Sequence, residues 1–212
     1  MKKAVYIILF IFFALSFIGC EKSNAFSKAD KEAVQNNNKT VSTESIVNSY
    51  YEGQSFRAFG MLQKHIFENV LTFWAKYDLK DIKNPKWNFD TFAQYSVLNQ
   101  NLVSISDEKL YYCTFEADDG KCGYVVVLYH ENGPALSKKY IAQTSQLYDL
   151  QTNIEAIKTQ LSETELDFAS AKASRARLIN ADENTSDEVI VITDEKGHTY
   201  IYSFEDSSVA AK

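Results

Sequence analysis

Gly123-Tyr124-Val125-Val126-Val127-Leu128-Tyr129 is the stretch on which the reading of the fold turns. It is apolar without alternation, β-branched at its centre, and bounded by Asp118-Asp119-Gly120 and Asn132-Gly133-Pro134. A short apolar run between such punctuators reads as a strand. Because both of its faces are apolar, it belongs at the centre of a sheet with a helix over one side. Residues 110–115 and 102–105 share its β-branched and aromatic character, and Ser106-Asp107 separates them. Together the three runs predict an antiparallel meander.

Cys113 and Cys122 lie on the two arms of the hairpin that ends in this strand. A two-residue turn at Asp119-Gly120 would set Cys113 opposite Val126 and Cys122 opposite Ala117, too far apart to bond. A wider loop over residues 116–119 would set the cysteines opposite each other. They are therefore a candidate disulfide, conditional on register and on an oxidising compartment.

Upstream, residues 45–77 become helical. Phe59, Leu62, Ile66, Val70, Phe73 and Tyr77 recur at three- and four-residue steps, and Phe67, Leu71 and Trp74 widen the stripe. Lys64, His65, Glu68, Asn69, Thr72 and Lys76 fall on the polar side, so the stripe is expected to dock on the sheet. Ser55 is the candidate cap, and a short helical turn from Asp90 would carry Phe92, Tyr95 and Leu98. Downstream, Leu147, Leu150, Ile154, Ile157 and Leu161 predict a second helix over residues 143–161. Ser162 with Glu165 forms a capping-box pattern that would restart a helix. Residues 175–206 read as strand, loop, strand, turn and strand, with Gly197 at the turn position that needs positive φ. The expectation is an α+β fold: one domain over residues 45–206, an antiparallel β-sheet packed against two main helices, and a tail at 207–212.

The N-terminus has a different grammar. Lys2 and Lys3 precede an apolar run over residues 4–17, interrupted by Ser16 alone, and Phe17-Ile18-Gly19-Cys20 closes it. The run is shorter than the roughly 20 residues of a stable span, and Glu21-Lys22-Ser23 follows at once. This segment resembles the signal peptides of bacterial lipoproteins, with Gly19-Cys20 matching the end of their lipobox and Phe17 standing where leucine is commonest. The resemblance implies removal of residues 1–19, acylation of Cys20 with palmitate-type chains, and an extracytoplasmic protein held on the cell membrane or outer membrane. More than one acyl chain anchors stably. Residues 20–44 would then be a polar tether, with Asn36-Asn37-Asn38 in its middle.

The whole chain has 22 basic and 28 acidic residues. Losing Lys2 and Lys3 with the signal leaves 20 against 28, a formal net charge of −8. That balance argues against nucleic acid as a partner, since phosphate binding needs a basic patch. An aromatic share of 14%, with 7 glycines and 2 prolines, points to a packed body.

The loop Asn180-Ala-Asp-Glu-Asn-Thr-Ser-Asp-Glu188 resembles the calcium loops of FG-GAP and VCBS-type repeats. Asn180, Asp182, Asn184 and Asp187 fall on the oxygen positions and would hold calcium, although Thr185 replaces the usual glycine and asparagines replace two carboxylates. The alternative is a polar hairpin loop with no cofactor. Residues 123–140 are similar to a strand in propeptides of streptopain-like cysteine proteases over one hairpin, and no function is carried across. His65, His130 and His198 are scattered, and no metal-protease, nucleophile-elbow or phosphate-loop motif is present. Cys113 or Cys122 with His130 as base is the remaining candidate for chemistry. The expected function is a membrane-anchored lipoprotein that binds an unknown protein or ligand partner, or serves envelope assembly, without catalysis. The alternatives are an extracytoplasmic enzyme or protease-associated factor, and a small-ligand-binding module.

Overall fold

A computed structural model describes residues 42–51, 61–129, 136–181 and 185–212. Its element order is α1 (Glu44–Tyr51), α2 (Met61–Asp78), β1 (Lys86–Leu98), β2 (Leu110–Glu116), β3 (Cys122–Tyr129), β4 (Leu136–Thr144), α3 (Leu150–Leu161), β5 (Lys172–Ile179), β6 (Ser186–Thr193), β7 (Thr199–Ser203) and β8 (Ser208–Ala211). All eight strands join one sheet in the order β4-β3-β2-β1-β5-β6-β7-β8. Each neighbouring pair is antiparallel except β1 with β5, which is parallel. The sheet is therefore two four-stranded meanders joined back to back, and it is mixed rather than purely antiparallel. A parallel pair needs a crossover, and the segment carrying α3 supplies it between edge strand β4 and central strand β5.

The Gly123 run becomes β3, an interior strand with Val125, Val126 and Val127 fully buried. Val126 and Tyr124 join the core under α1 and α3, while Val125 and Val127 join the core under α2. Thus the sheet is covered on both faces. A third cluster of Leu98, Ala176, Leu178, Val189 and Ile201 lies on the α2 side of the second meander, with Leu102 packed against it.

The concave face is the one facing α1 and α3. Tyr140 on β4 donates to Glu188 on β6 at 3.2 Å, although four strands lie between them in sheet order. At about 4.8 Å per strand they would be roughly 24 Å apart in a flat sheet, so the sheet curls strongly around this face.

Several sequence expectations are corrected. Phe92, Tyr95 and Leu98 are all buried in β1, not in a helical turn. Their spacing looks helical because β1 has both faces covered and shifts register between Asn88 and Ala93. Residues 102–105 form no strand: they make one bridge, Leu98 with Ser104, and Leu102 has a φ of +60°. The second helix starts at Leu150, where Asp149 caps it by accepting the Thr152 N–H, because β4 takes the chain as far as Thr144. Ser162 ends that helix instead of opening another, and Glu165 lies 3.6 Å from His198 Nε2. Ser208–Ala211 is no free tail, since it pairs with β7 from Ser203↔Ser208 to Tyr200↔Ala211. Phe59 and the Ser55 cap lie outside the described residues.

Gly123 has a steric reason to be glycine. A Cβ there would sit 2.1 Å from the Ala142 carbonyl oxygen and 2.7 Å from the Phe115 ring. The carbonyl belongs to the neighbouring strand and cannot rotate away. Gly123→Ala is expected to lose about 3 kcal/mol or more, at the upper end of overpacking costs, in urea unfolding. An unchanged midpoint would show that β3 and β4 do not approach so closely.

Candidate functional site

The concave face holds a charged centre. Arg175 on β5 is wholly buried, and its guanidinium donates to Glu188 Oε2 at 2.8 Å and to the Val189 carbonyl at 3.2 Å. The rings of Phe204, Tyr112, Tyr124 and Tyr148 lie 4.3, 5.1, 5.7 and 5.9 Å from its Cζ. Burial works against its charge, yet Glu188 beside it raises the Arg175 pKa above the ordinary arginine value. Glu188 Oε1 accepts from Arg177 Nε at 3.0 Å and from Tyr95 at 2.8 Å, and Arg177 stacks 3.9 Å over the Tyr140 ring. The single proton of the Tyr140 hydroxyl is shared between Glu188 Oε1 and the Tyr95 oxygen. Desolvation pushes the Tyr95, Tyr112, Tyr124 and Tyr140 phenols above their usual range, so all four stay protonated.

A second carboxylate closes the network. Asp149, buried at the start of α3, accepts from Tyr51 at 2.8 Å and Tyr112 at 3.2 Å, while Tyr50 donates to Tyr112 at 2.8 Å. Among the described residues, Arg175 Nε is the one buried side-chain nitrogen or oxygen without a hydrogen-bond partner. This constellation ties six strands, β1 to β6, and two helices together.

Two other features face outward. The first is a crevice of about 610 Å³ at the carboxyl ends of β1 and β5, lined by Asn99, Gln100, Asn101, Ile105, Ile179, Asn180 and Ala181. Gln100 Nε2 donates to the Ile179 carbonyl at 3.1 Å and to Asn180 Oδ1 at 2.9 Å. Asn99 Oδ1 accepts the backbone N–H groups of Asn101 and Val103. The second is the outer flank of α2. Phe67, Leu71 and Ala75 face the sheet, whereas Ile66, Phe73 and Tyr77 are 49%, 65% and 82% exposed. The expected buried stripe is therefore rotated: part of it forms an apolar ridge on the surface, with Phe73 and Tyr77 stacked at 6.3 Å between centroids.

The residues singled out in the sequence separate. Cys20 lies outside the described residues, as does His130. Cys113 pairs with Val125 and Cys122 with Glu116 across a three-residue turn, matching neither of the two expected registers. The thiols point to opposite faces and both are free, so the candidate disulfide is not formed. Burial pushes the Cys113 thiol far up, leaving it a poor nucleophile. Of the candidate calcium ligands, Asp182 and Asn184 lie outside the described residues. Asn180 Oδ1 is engaged by Gln100, and Asp187 pairs with Leu178 in the sheet. Among the described residues no cluster of three metal-ligating side chains occurs, and no helix is long and apolar enough to cross a membrane.

Comparison with protein-family models, with curated proteins and with solved structures finds no match.

The charged centre is testable as a unit. Glu188→Leu leaves Arg175 buried without its countercharge and is expected to lose about 3–5 kcal/mol of stability. Adding Arg175→Met should restore most of that loss, because the pair is replaced by apolar volume. Equal and additive losses in urea unfolding would show that the two residues are not coupled.

Asp194 gives a pH signature. Its buried carboxylate accepts the N–H groups of Asp167, Lys196 and His198, each at 2.9 Å, and lies 2.9 Å from His198 Nδ1. Burial would raise its pKa, but these donors hold it well below the ordinary carboxylate value. A depressed folded-state pKa contributes stability above the unfolded value of about 3.9, and that contribution is lost as pH falls through the folded value. Asp194→Asn should therefore lower the Tm at neutral pH, with a gap to the wild type that narrows below about pH 4. A gap that stays constant down to acid pH would contradict this.

Proposed function

We propose that this chain is a lipid-anchored extracytoplasmic protein that acts by binding a protein partner, with Cys20 acylated and the chain cut before it. The observation that carries the binding half of the reading is the outer flank of α2. The helix already satisfies its own packing through Phe67, Leu71 and Ala75, so Ile66, Phe73 and Tyr77 serve no core. Ile66, Val70, Phe73 and Tyr77 follow the four-three-four spacing of a ridge that fits beside another helix or into an apolar groove. Thr72, on the opposite flank, accepts from Trp87 on β1, and Lys138 on edge strand β4 pairs with Asp78. The carboxyl end of α2 thus reaches edge strand β4, and the ridge lies on the flank away from Thr72. In this reading α2 and α3 are the two principal packing helices, one on each face.

The anchoring half is supported by the resemblance of residues 1–20 to lipoprotein signals. The two halves are tested separately. Tritiated palmitate should label the wild-type protein and not Cys20→Ser, and equal labelling would sink the anchor. A photo-crosslinking residue at position 73 should give a discrete adduct in the native envelope, while the same group at position 68 on the far flank should not. Phe73→Glu, an exposed change expected to alter stability by less than about 0.5 kcal/mol, should prevent crosslinking from position 77. Adducts indifferent to the flank or to this substitution would overturn the partner site.

A further inference from the structure

We propose that the crevice at the carboxyl ends of β1 and β5 binds a secondary amide flanked by an apolar group, the chemistry shared by an N-acetylated sugar and a capped peptide. The inference is independent of the α2 ridge and of the lipid anchor. Its first ground is topological. β1 and β5 form the parallel pair of the sheet, and the chain leaves β1 toward β2 on one side and β5 toward β6 on the other. The crevice lies where these two connections part, between residues 99–101 after β1 and residues 179–181 at the end of β5. The volume of about 610 Å³ is within the range of small-molecule sites.

The second ground is chemical. The described residues lining the crevice are uncharged, and the one cation beside them, Lys212, donates to the Gln100 backbone carbonyl at 3.4 Å, so what the lining itself offers is neutral hydrogen bonding, which suits a neutral polar ligand. Asn99, Gln100, Asn101 and Asn180 contribute carboxamides, and Ile105 and Ile179 contribute apolar wall. A carboxamide carries a donor and an acceptor side by side, the complement of the C=O and N–H of a secondary amide. The internal bonds leave both kinds of group available. Gln100 is fixed through its Nε2, which leaves Oε1 to accept. Asn99 spends Oδ1 on two backbone N–H groups, which leaves Nδ2 to donate. The Asn101 carboxamide makes no hydrogen bond among the described residues.

The third ground is local strain. Leu102 holds a φ of +60°, a left-handed backbone rare for a side chain of this kind. Such conformations persist where the surroundings enforce them and concentrate at binding sites. Beyond this turn Val103 and Ile105 are left 58% and 54% exposed, and Ile105 offers an apolar contact to the group attached to the amide.

The test follows side-chain amide NMR resonances of the full-length protein in detergent micelles. The probes are N-acetylglucosamine, N-acetylalanine methylamide, glucose and acetate. One or both amide compounds should give saturable shifts at Gln100, Asn101 and Asn180, and whichever binds tighter identifies the source of the amide. Glucose and acetate should leave those signals in place. Asn101→Ala, an exposed loop change that leaves the fold intact, should weaken the binding about 5–10-fold, the loss of one or two hydrogen bonds. Ile105→Ser should weaken it as well. Silence with both amide compounds, equal shifts with glucose or acetate, or unchanged affinity in Asn101→Ala would each overturn the proposal.

Discussion

The Arg175–Glu188 pair is the interaction on which the rest of the structure depends. A guanidinium and a carboxylate with side chains 0% and 6% exposed are tolerable only if nearly every polar atom finds a partner. Those partners come from far apart in the sheet: Tyr95 from β1, Tyr140 from β4, Arg177 from β5 and the Val189 carbonyl from β6. The carbonyl accepts from Arg175, and bringing the three donors to the Glu188 carboxylate requires the two meanders to bend toward each other. The curl of the sheet and the burial of the pair are therefore the same fact stated twice, and the ring of aromatic side chains is what excludes water from both.

Asp149 extends that dependence to the helices. It caps α3, accepts Tyr51 from α1, and accepts Tyr112 from β2, which also receives the Tyr50 hydroxyl. A single carboxylate thereby fixes where the crossover after β4 turns into helix and how α1 lies over the sheet. The opposite face is held differently. There α2 packs through Phe67, Leu71 and Ala75 onto Cys113, Phe115, Val125 and Val127, an almost wholly apolar contact. Apolar contact is non-directional, so it covers the first meander without dictating the rotation of the helix as a charged anchor would.

That difference explains what the sequence could and could not disclose. The central place of β3 was legible because Gly123 to Tyr129 is apolar on both faces, and the turn at Gly197 because only its φ of +88° suits that hairpin. The rotation of α2 was not, since a helix with apolar residues around more than half its circumference is consistent with several buried sides. Phe92, Tyr95 and Leu98 misled for a related reason: once both faces of a strand are buried, alternation disappears and a three-residue step looks helical. Arg175 and Glu188 were invisible because charge in a strand ordinarily marks the solvent face; the pairing of β5 with β6 makes them neighbours, and the curl that brings Tyr140 to them is what buries them. The crevice amides Asn99-Gln100-Asn101 carried a faint signal as an amide run just before Leu102. The strand expected at residues 102–105 begins just after that run, and the left-handed Leu102 makes a turn there instead.

The filled concavity also decides where recognition can occur. A strongly curved sheet would ordinarily offer its hollow face to a ligand, but here Arg175, Glu188 and the surrounding tyrosines occupy it and α1 and α3 close over it. Loosening that centre to admit a ligand would uncover two opposite charges and several buried hydroxyls at once, a cost far above that of opening an apolar cavity. The two proposed binding surfaces accordingly lie where the packing has already been satisfied. One is the flank of α2, left over because a helix needs only one side for the sheet. The other is the end of the β1–β5 pair, where a crevice separates residues 99–101 from residues 179–181.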